Sequence, residues 1–156
     1  MGLTEILATN RLFERMPMPT PEEFMRDYLR EHIEAEKREL ASRAPFREKF
    51  FTGECYFDSR KGTLEAWESE KIASVSSSDT GAIAITELIR KLHSRVLHQK
   101  HRYHLQLEGN RWRIQCVDSN CIICKGEAVK ITCRFCHGTG WRSGNPGTTD
   151  ADARDE

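Results

Sequence analysis

The sequence predicts an α+β fold in which one helix packs on a curved antiparallel sheet. The spacing of apolar residues changes along the chain, from three or four apart before residue 45 to every second residue after Gly53. The helical segment comes first and the strand-like segments follow, which favours α+β over an alternating α/β fold. With 156 residues, of which 38% are hydrophobic, the chain can form one compact domain and a small appendage.

The helix is predicted over residues 21–41. Thr20 is its N-cap, Pro21 occupies the first helical position, and Glu23 completes a capping box. Apolar residues then recur three or four apart, whereas the opposite face is rich in Glu, Arg and Lys. We expect these side chains to face the sheet: Phe24, Tyr28, Ile33 and Leu40.

Strands are predicted where apolar and polar residues alternate. Residues 77–81 have the composition of a hairpin loop, and residues 108–110, Glu-Gly-Asn, predict the turn of a second hairpin. The predicted strands are Ile72–Ser76, Ala82–Thr86, Arg102–Leu107 and Trp112–Val117.

A basic stretch lies between the two predicted hairpins. We interpret residues 88–99 as a solvated connector that is partly helical or irregular, because runs of charge are usually exposed. A basic surface that binds phosphate or an acidic protein is the alternative. His101 and His104 are three residues apart and point to opposite faces of a strand, so they do not converge on one metal ion.

Four cysteines form the most specific motif in the chain. They read C-x2-C-x8-C-x2-C, and two such pairs supply the four thiolates of a tetrahedral Zn²⁺ site with no open position for substrate. Two disulfides or a redox pair are the alternatives. The remaining cysteines, Cys55 and Cys116, lie in apolar strand-like runs and are interpreted as buried free thiols. Alternation along the last predicted strand places Cys116 on the same face as Trp112 and Ile114. The proposed zinc ligands are Cys121, Cys124, Cys133 and Cys136.

Glycines follow both cysteine pairs, giving CxxCxGxA after Cys124 and CxxCxGxG after Cys136. This pair of knuckles resembles the cysteine-rich zinc domain of DnaJ-type co-chaperones over residues 121–141. That family has four such repeats and this segment has two. The resemblance implies a structural zinc site. It does not imply chaperone activity, because the sequence contains no J-domain His-Pro-Asp motif.

The strand segments 72–75, 82–86 and 102–105, followed by the Gly-Asn-Arg-Trp-Arg-Ile run at 109–114, resemble the second half of a nuclear transport factor 2-like domain. This resemblance covers about residues 20–117. It implies a conical fold with a pocket, frequent formation of homodimers, and either enzymatic or binding roles.

Together these patterns divide the chain into four parts. An N-terminal arm at 1–19 precedes the α+β domain at 20–117. A zinc knuckle at 118–141 follows, and then a tail at 142–156 that we expect to be disordered because it has almost no apolar residues.

A pocket site is the enzymatic hypothesis. In enzymes of the family that the chain resembles, a carboxylate or histidine inside the cone transfers a proton, and Asp58 is one carboxylate that could approach such an interior. Tyrosines are more often core residues whose hydroxyl is hydrogen-bonded. We therefore expect a binding or interaction role, with an isomerase-like or dehydratase-like pocket enzyme as the alternative. The candidate pocket residues are Tyr56, Trp67, Tyr103 and His104.

Composition narrows the set of partners. With 24 basic and 24 acidic residues the net charge is zero, so no overall attraction to nucleic acid or membrane is expected. Basic and aromatic residues near the cysteines keep single-stranded nucleic-acid binding open, but packing of Trp141 on the main domain is favoured. A protein partner or a small ligand remains unidentified. The N-terminus has no signal-peptide apolar centre, which favours a reducing, cytoplasmic location.

Overall fold

The computed structural model describes residues 18–55, 57, 63–120 and 139–143. In these ranges the helices precede the strands, and the strands form one antiparallel sheet in the order β1-β2-β3-β4-β5, which curls around the helices. The α+β prediction is confirmed. The helices are α1 (Pro21–Lys37), α2 (Ala44–Phe50) and α3 (Leu64–Ser69). The strands are β1 (Lys71–Ser77), β2 (Gly81–Leu92), β3 (Arg95–Glu108), β4 (Arg111–Asn120) and β5 (Trp141–Ser143).

Helix α1 begins at the predicted residue, Pro21, and ends at Lys37, before the predicted end at residue 41. The capping box is present, with the Glu23 amide donating to Thr20 Oγ1 at 3.1 Å and the Thr20 amide donating to Glu23 Oε2 at 3.0 Å. At the other end Glu39 adopts a φ of 57°, and the Leu40 amide donates to the Ala35 carbonyl at 2.8 Å. This is a Schellman motif, which closes the helix after Lys37. Leu40 therefore lies outside the helix and is 37% exposed.

The helices bury one face of the sheet, which we call the inner face. It carries Ala84 of β2, Tyr103 and Leu105 of β3, and Ile114 and Val117 of β4. The residues that pack on it from α1 and α2 are Phe24, Met25, Tyr28 and Phe50. Ile33 packs on a second, smaller cluster formed by Ala66, Trp67 and Leu88. The predicted orientation of Phe24 and Tyr28 is confirmed.

The basic stretch at 88–99 is not an irregular connector. It belongs to a continuous hairpin in which Leu88 pairs with Gln99 and Leu92 pairs with Arg95. The turn is a tight one at His93 and Ser94, where His93 has a φ of 51°. Two-residue hairpin loops favour positive φ and usually contain Gly or Asn. This loop contains neither, which is why the turn was missed.

A β-bulge in β4 changes which face Cys116 occupies. The register runs from His104 opposite Cys116 to Leu105 opposite Ile114, so Gln115 is an extra residue. Cys116 therefore lies on the outer face, the side of the sheet opposite the helices, and does not share a face with Ile114 as predicted. It is partly exposed, whereas Cys55 is buried as predicted.

The last strand brings the end of the described chain back to the sheet. Asn120 at the end of β4 pairs with Trp141 at the start of β5. The Arg102 guanidinium stacks over the Trp141 ring at 4.6 Å, so Trp141 packs on the main domain. Arg142 and Ser143, placed in the tail by the sequence, belong to this strand. The four zinc cysteines and residues 1–17 lie outside the described residues. None of the described helices is long and apolar enough to cross a membrane.

Gly81 begins β2 at a point where the backbones of β2 and β3 approach closely. A Cβ atom there would lie 2.7 Å from the Leu105 carbonyl oxygen, a backbone atom that cannot move aside. We expect Gly81→Ala to lower the free energy of unfolding by about 1–3 kcal/mol, the usual cost of overpacking. Gly53→Ala is the control, since a Cβ there meets no atom within 4 Å. Urea unfolding of both variants measures the difference, and equal losses would contradict the predicted clash.

Candidate functional site

A buried carboxylate, Glu70, lies at the centre of the inner face. Its side chain is 0% exposed. Oε1 accepts hydrogen bonds from Thr86 Oγ1 at 2.7 Å and Tyr103 Oη at 2.5 Å, and His101 Nδ1 lies 3.4 Å away. Oε2 has no hydrogen-bond partner among the described residues. Burying a charged carboxylate is costly unless donors surround it, so this concentration of polar groups needs an explanation.

Local structure explains why these groups meet. Glu70 follows the last residue of α3 with extended backbone angles and leads directly into β1. Thr86 of β2 and His101 of β3 are paired residues on adjacent strands. His101 and Tyr103 are two residues apart on β3, so both point to the inner face.

A chain of hydrogen bonds leads outward from Glu70. Arg90 Nη1 donates to Gln99 Oε1 at 3.3 Å, which orients the Gln99 amide so that its nitrogen faces His101 Nε2 at 3.4 Å. Because that nitrogen can only donate, His101 Nε2 is the acceptor and His101 Nδ1 carries the proton that faces Glu70. Glu70 therefore fixes the imidazole tautomer, and the lone pair of Nε2 points towards Gln99.

Gln99 also lines a cavity of about 530 Å³. The Gln99 side chain therefore lies between His101 and this cavity. The other residues of the cavity wall are Glu68, Ser69, Lys71, Glu87, Leu88, Ile89, His98 and Lys100. The wall carries two lysines and two glutamates, and Lys100 Nζ lies 3.8 Å from Glu87 Oε1. Its exposed strand residues alternate with the inner-face residues of β2 and β3, so the cavity opens mainly on the outer side of the sheet: Glu87, Ile89, His98 and Lys100.

Aromatic rings enclose the other side of the cluster. His32 of α1 lies 4.9 Å from the Trp67 ring and stacks on Tyr28 at 5.4 Å. Trp67 lies 5.7 Å from the His101 ring, and Phe57 contacts both rings edge-on. These rings exclude water from the carboxylate and imidazole, which strengthens the electrostatic interactions between them.

Burial and hydrogen bonding change the acidity of these groups. Burial alone raises the pKa of Glu70, but hydrogen bonds from His101, Tyr103 and Thr86 bring that pKa below its usual value. Burial and the Glu70 charge raise the pKa of Tyr103 and of Tyr28 well above their usual range. Glu70 is therefore charged and both tyrosines are neutral at neutral pH, and Tyr103 donates to the Glu70 carboxylate.

This arrangement can hold and transfer protons. A carboxylate that orients a neutral imidazole is a common form of general base, because the carboxylate stabilises the cation formed when Nε2 takes a proton. A second histidine–carboxylate pair lies on α1, where His32 Nε2 is 3.2 Å from Glu36 Oε1.

The residues predicted from the sequence are divided between two faces. Trp67 and Tyr103 lie on the inner face, in contact with His101. His104 does not join them, because it neighbours Tyr103 on β3 and points to the outer face, where Nε2 lies 2.7 Å from Asp118 Oδ2. That hydrogen bond raises the pKa of His104 to about 9. Tyr56 and Asp58 lie outside the described residues.

Sequence reasoning missed Glu70, Thr86, Gln99 and the role of His101. One signal was available: His101 and Tyr103 share the face of a predicted strand, and Tyr28 and His32 share the apolar face of α1 at a spacing of four. Polar residues on faces that should be buried are the informative observation in such patterns. Glu70 gave no comparable signal.

A solved structure is similar to this chain. It is a nuclear transport factor 2-like protein of unknown function from Shewanella oneidensis, 13% identical, and the match covers 64% of this chain and 98% of that one with a TM-score of 0.44. At this identity the likeness concerns the fold alone. No protein-family model and no curated protein matches the sequence.

The buried His32 predicts an acid-sensitive fold. Burial lowers the pKa of His32, although Glu70 and Glu36 oppose that effect. Below the ordinary histidine pKa of about 6.5, His32 is protonated in the unfolded chain but stays neutral in the folded chain. The free energy of unfolding therefore falls as the pH falls. We expect the free energy of unfolding to decrease between pH 7.5 and 5.5, and to decrease less in His32→Phe, which keeps an aromatic ring. Urea titrations across this range give both slopes, and parallel slopes would exclude His32 as the cause.

Proposed function

We propose that His101, oriented by Glu70, acts as a general base for a small molecule. This deepens the pocket-enzyme alternative that the sequence left open. The observation that carries it is the continuous path from buried Glu70, through His101 and Gln99, to the wall of the 530 Å³ cavity. The His101 nitrogen remote from Glu70 is covered by the Gln99 amide, and Gln99 in turn lies in the cavity wall.

The cavity supports a substrate class. Its volume suits a small molecule. Ile89 fits an apolar body, and Lys71 provides positive charge for an oxygen on which negative charge develops. We propose a small carbonyl compound with a removable proton on the adjacent carbon. The substrate displaces the Gln99 amide from His101 Nε2, which takes that proton, and Glu70 stabilises the imidazolium.

The test is exchange of such protons with solvent. Wild-type protein in D₂O should exchange the protons next to the carbonyl of small cyclic ketones, observed by NMR. In His101→Gln the rate should fall by about 10²–10⁴-fold, the usual contribution of a positioned base. In Glu70→Gln it should also fall, because the imidazole loses the carboxylate that orients and stabilises it.

His93→Asn is the control. His93 is an exposed histidine in the β2–β3 turn, and asparagine tolerates its positive φ. Its exchange rate should equal that of the wild type. Urea unfolding of every variant separates loss of the base from loss of the fold. Exchange that is equal in wild type and in folded His101→Gln would overturn the proposal.

We also propose that Cys121, Cys124, Cys133 and Cys136 bind one structural Zn²⁺. The spacing of the four thiols supports this, and so does the pairing of Asn120 with Trp141. The chain leaves the sheet directly before the first cysteine and returns to it soon after the last. Connections of this length between paired strands often have a function, and a structural zinc site is one that the four thiols fit.

Cys133→Ser tests the zinc proposal. We expect this variant to bind one fewer zinc per chain by elemental analysis after dialysis, because the site loses a ligand. The Trp141 indole signal should shift in NMR spectra as β5 loosens, whereas the signals of Tyr103 and Ile114 should remain. Thr132→Ser, next to the ligand, should leave the zinc content unchanged. Full zinc content in Cys133→Ser, or a Cys121–Cys124 disulfide in freshly prepared protein, would contradict the proposal.

A further inference from the structure

A second group of metal-ligating side chains lies on the outer face, away from the cluster around Glu70. His104 of β3 and Cys116 and Asp118 of β4 place one nitrogen, one sulfur and one oxygen within 4.8 Å of one another. This group shares no residue with the four-cysteine zinc motif. It is also independent of the proposed base, which faces the other side of the sheet.

The β-bulge at Gln115 creates this group. Without the extra residue, Cys116 would share the buried face of Ile114. With it, Cys116 turns outward beside Asp118 and directly opposite His104. Bulges often re-aim a side chain next to a functional site, and here the re-aimed side chain is a thiol.

Asp118 is buried and held in one orientation. Arg102 donates from Nε and Nη2 to Oδ2, at 2.9 and 2.8 Å, and His104 Nε2 lies 2.7 Å from the same oxygen. The other oxygen, Oδ1, faces Cys116 Sγ at 4.0 Å. A carboxylate with one oxygen held by an arginine and the other facing a thiol has the form of a supported metal ligand.

We propose that His104, Cys116 and Asp118 bind one Zn²⁺ ion. Thiolate, imidazole and carboxylate together suit zinc, whose bonds of about 2.0–2.3 Å require donor atoms roughly 3.5 Å apart. The three donor atoms already lie within 4.8 Å of one another. In binding the ion, His104 gives up its contact with Asp118 Oδ2, while Arg102 keeps that oxygen in place.

Three protein ligands leave a fourth position open, as in catalytic rather than structural zinc sites. A cavity of about 270 Å³ has His104 and Gln115 in its wall, together with Ser76, Ser77, Gly81 and Ile83. Of the three proposed ligands His104 lies in this wall, so water or a small anion would approach the ion from the His104 side. The site is therefore of the open type, whereas the four-cysteine site is closed.

The experiment uses Co²⁺ as a spectroscopic substitute for Zn²⁺, because cobalt bound to a thiolate gives a near-ultraviolet charge-transfer absorption. In the full chain with all four motif cysteines changed to serine, we expect one equivalent of Co²⁺ to bind with this absorption, and Zn²⁺ to displace it. Adding Cys116→Ser should abolish the absorption and weaken binding at least tenfold. Adding Asp118→Asn should weaken binding while keeping a reduced absorption.

Cys55→Ala is the matched control, since burial raises the pKa of this thiol to about 12 and it lies in the core. It should leave the absorption unchanged. If the four-serine chain does not fold, zinc content decides instead: the wild type should hold two ions after dialysis and Cys116→Ser one. Absorption that survives Cys116→Ser, metal bound without thiolate absorption, or equal zinc content in wild type and Cys116→Ser would each overturn the proposal.

Discussion

The charge of Glu70 is the constraint on which the inner face depends. A carboxylate with no exposed surface is stable only where donors replace the water it has lost, and Thr86 and Tyr103 supply them from two different strands. Because a shift of one residue in a strand sends every side chain to the other face, these hydrogen bonds exist in only one register of β2 and β3. The carboxylate thus couples the end of α3 to the pairing of the two longest strands.

Local signals predicted much of this fold. The capping box at Thr20 and the turn at Gly109, which has a φ of 64°, are encoded by residues next to one another, and both are present. The end of α1 and the β2–β3 turn were missed because Glu39 and His93 adopt positive φ without being glycine or asparagine. Such conformations are imposed by surrounding structure, and the sequence alone carries little trace of them.

The residues of the candidate sites also differ in whether the sequence reveals them. Trp67 and Tyr103 could be selected from the sequence, because aromatic residues on buried faces stand out in an alternating pattern. Glu70 could not, since an acidic residue after a short helix is usually exposed and only its tertiary partners reveal its burial. Cys116 was assigned to the wrong face because nothing in the sequence marks the bulge at Gln115. The zinc ligands of the cysteine motif remain a prediction from spacing.

The alternation of β3 places two polar clusters back to back, separated by a single backbone. His101 and Tyr103 serve the cluster around Glu70, and Arg102 and His104 serve Asp118. Inserting or deleting one residue in this tetrapeptide would exchange the two pairs and disrupt both clusters at once. Both clusters therefore require the same number of residues in this segment. Substitutions that keep its length can change the side chains of one face and leave the other face unchanged.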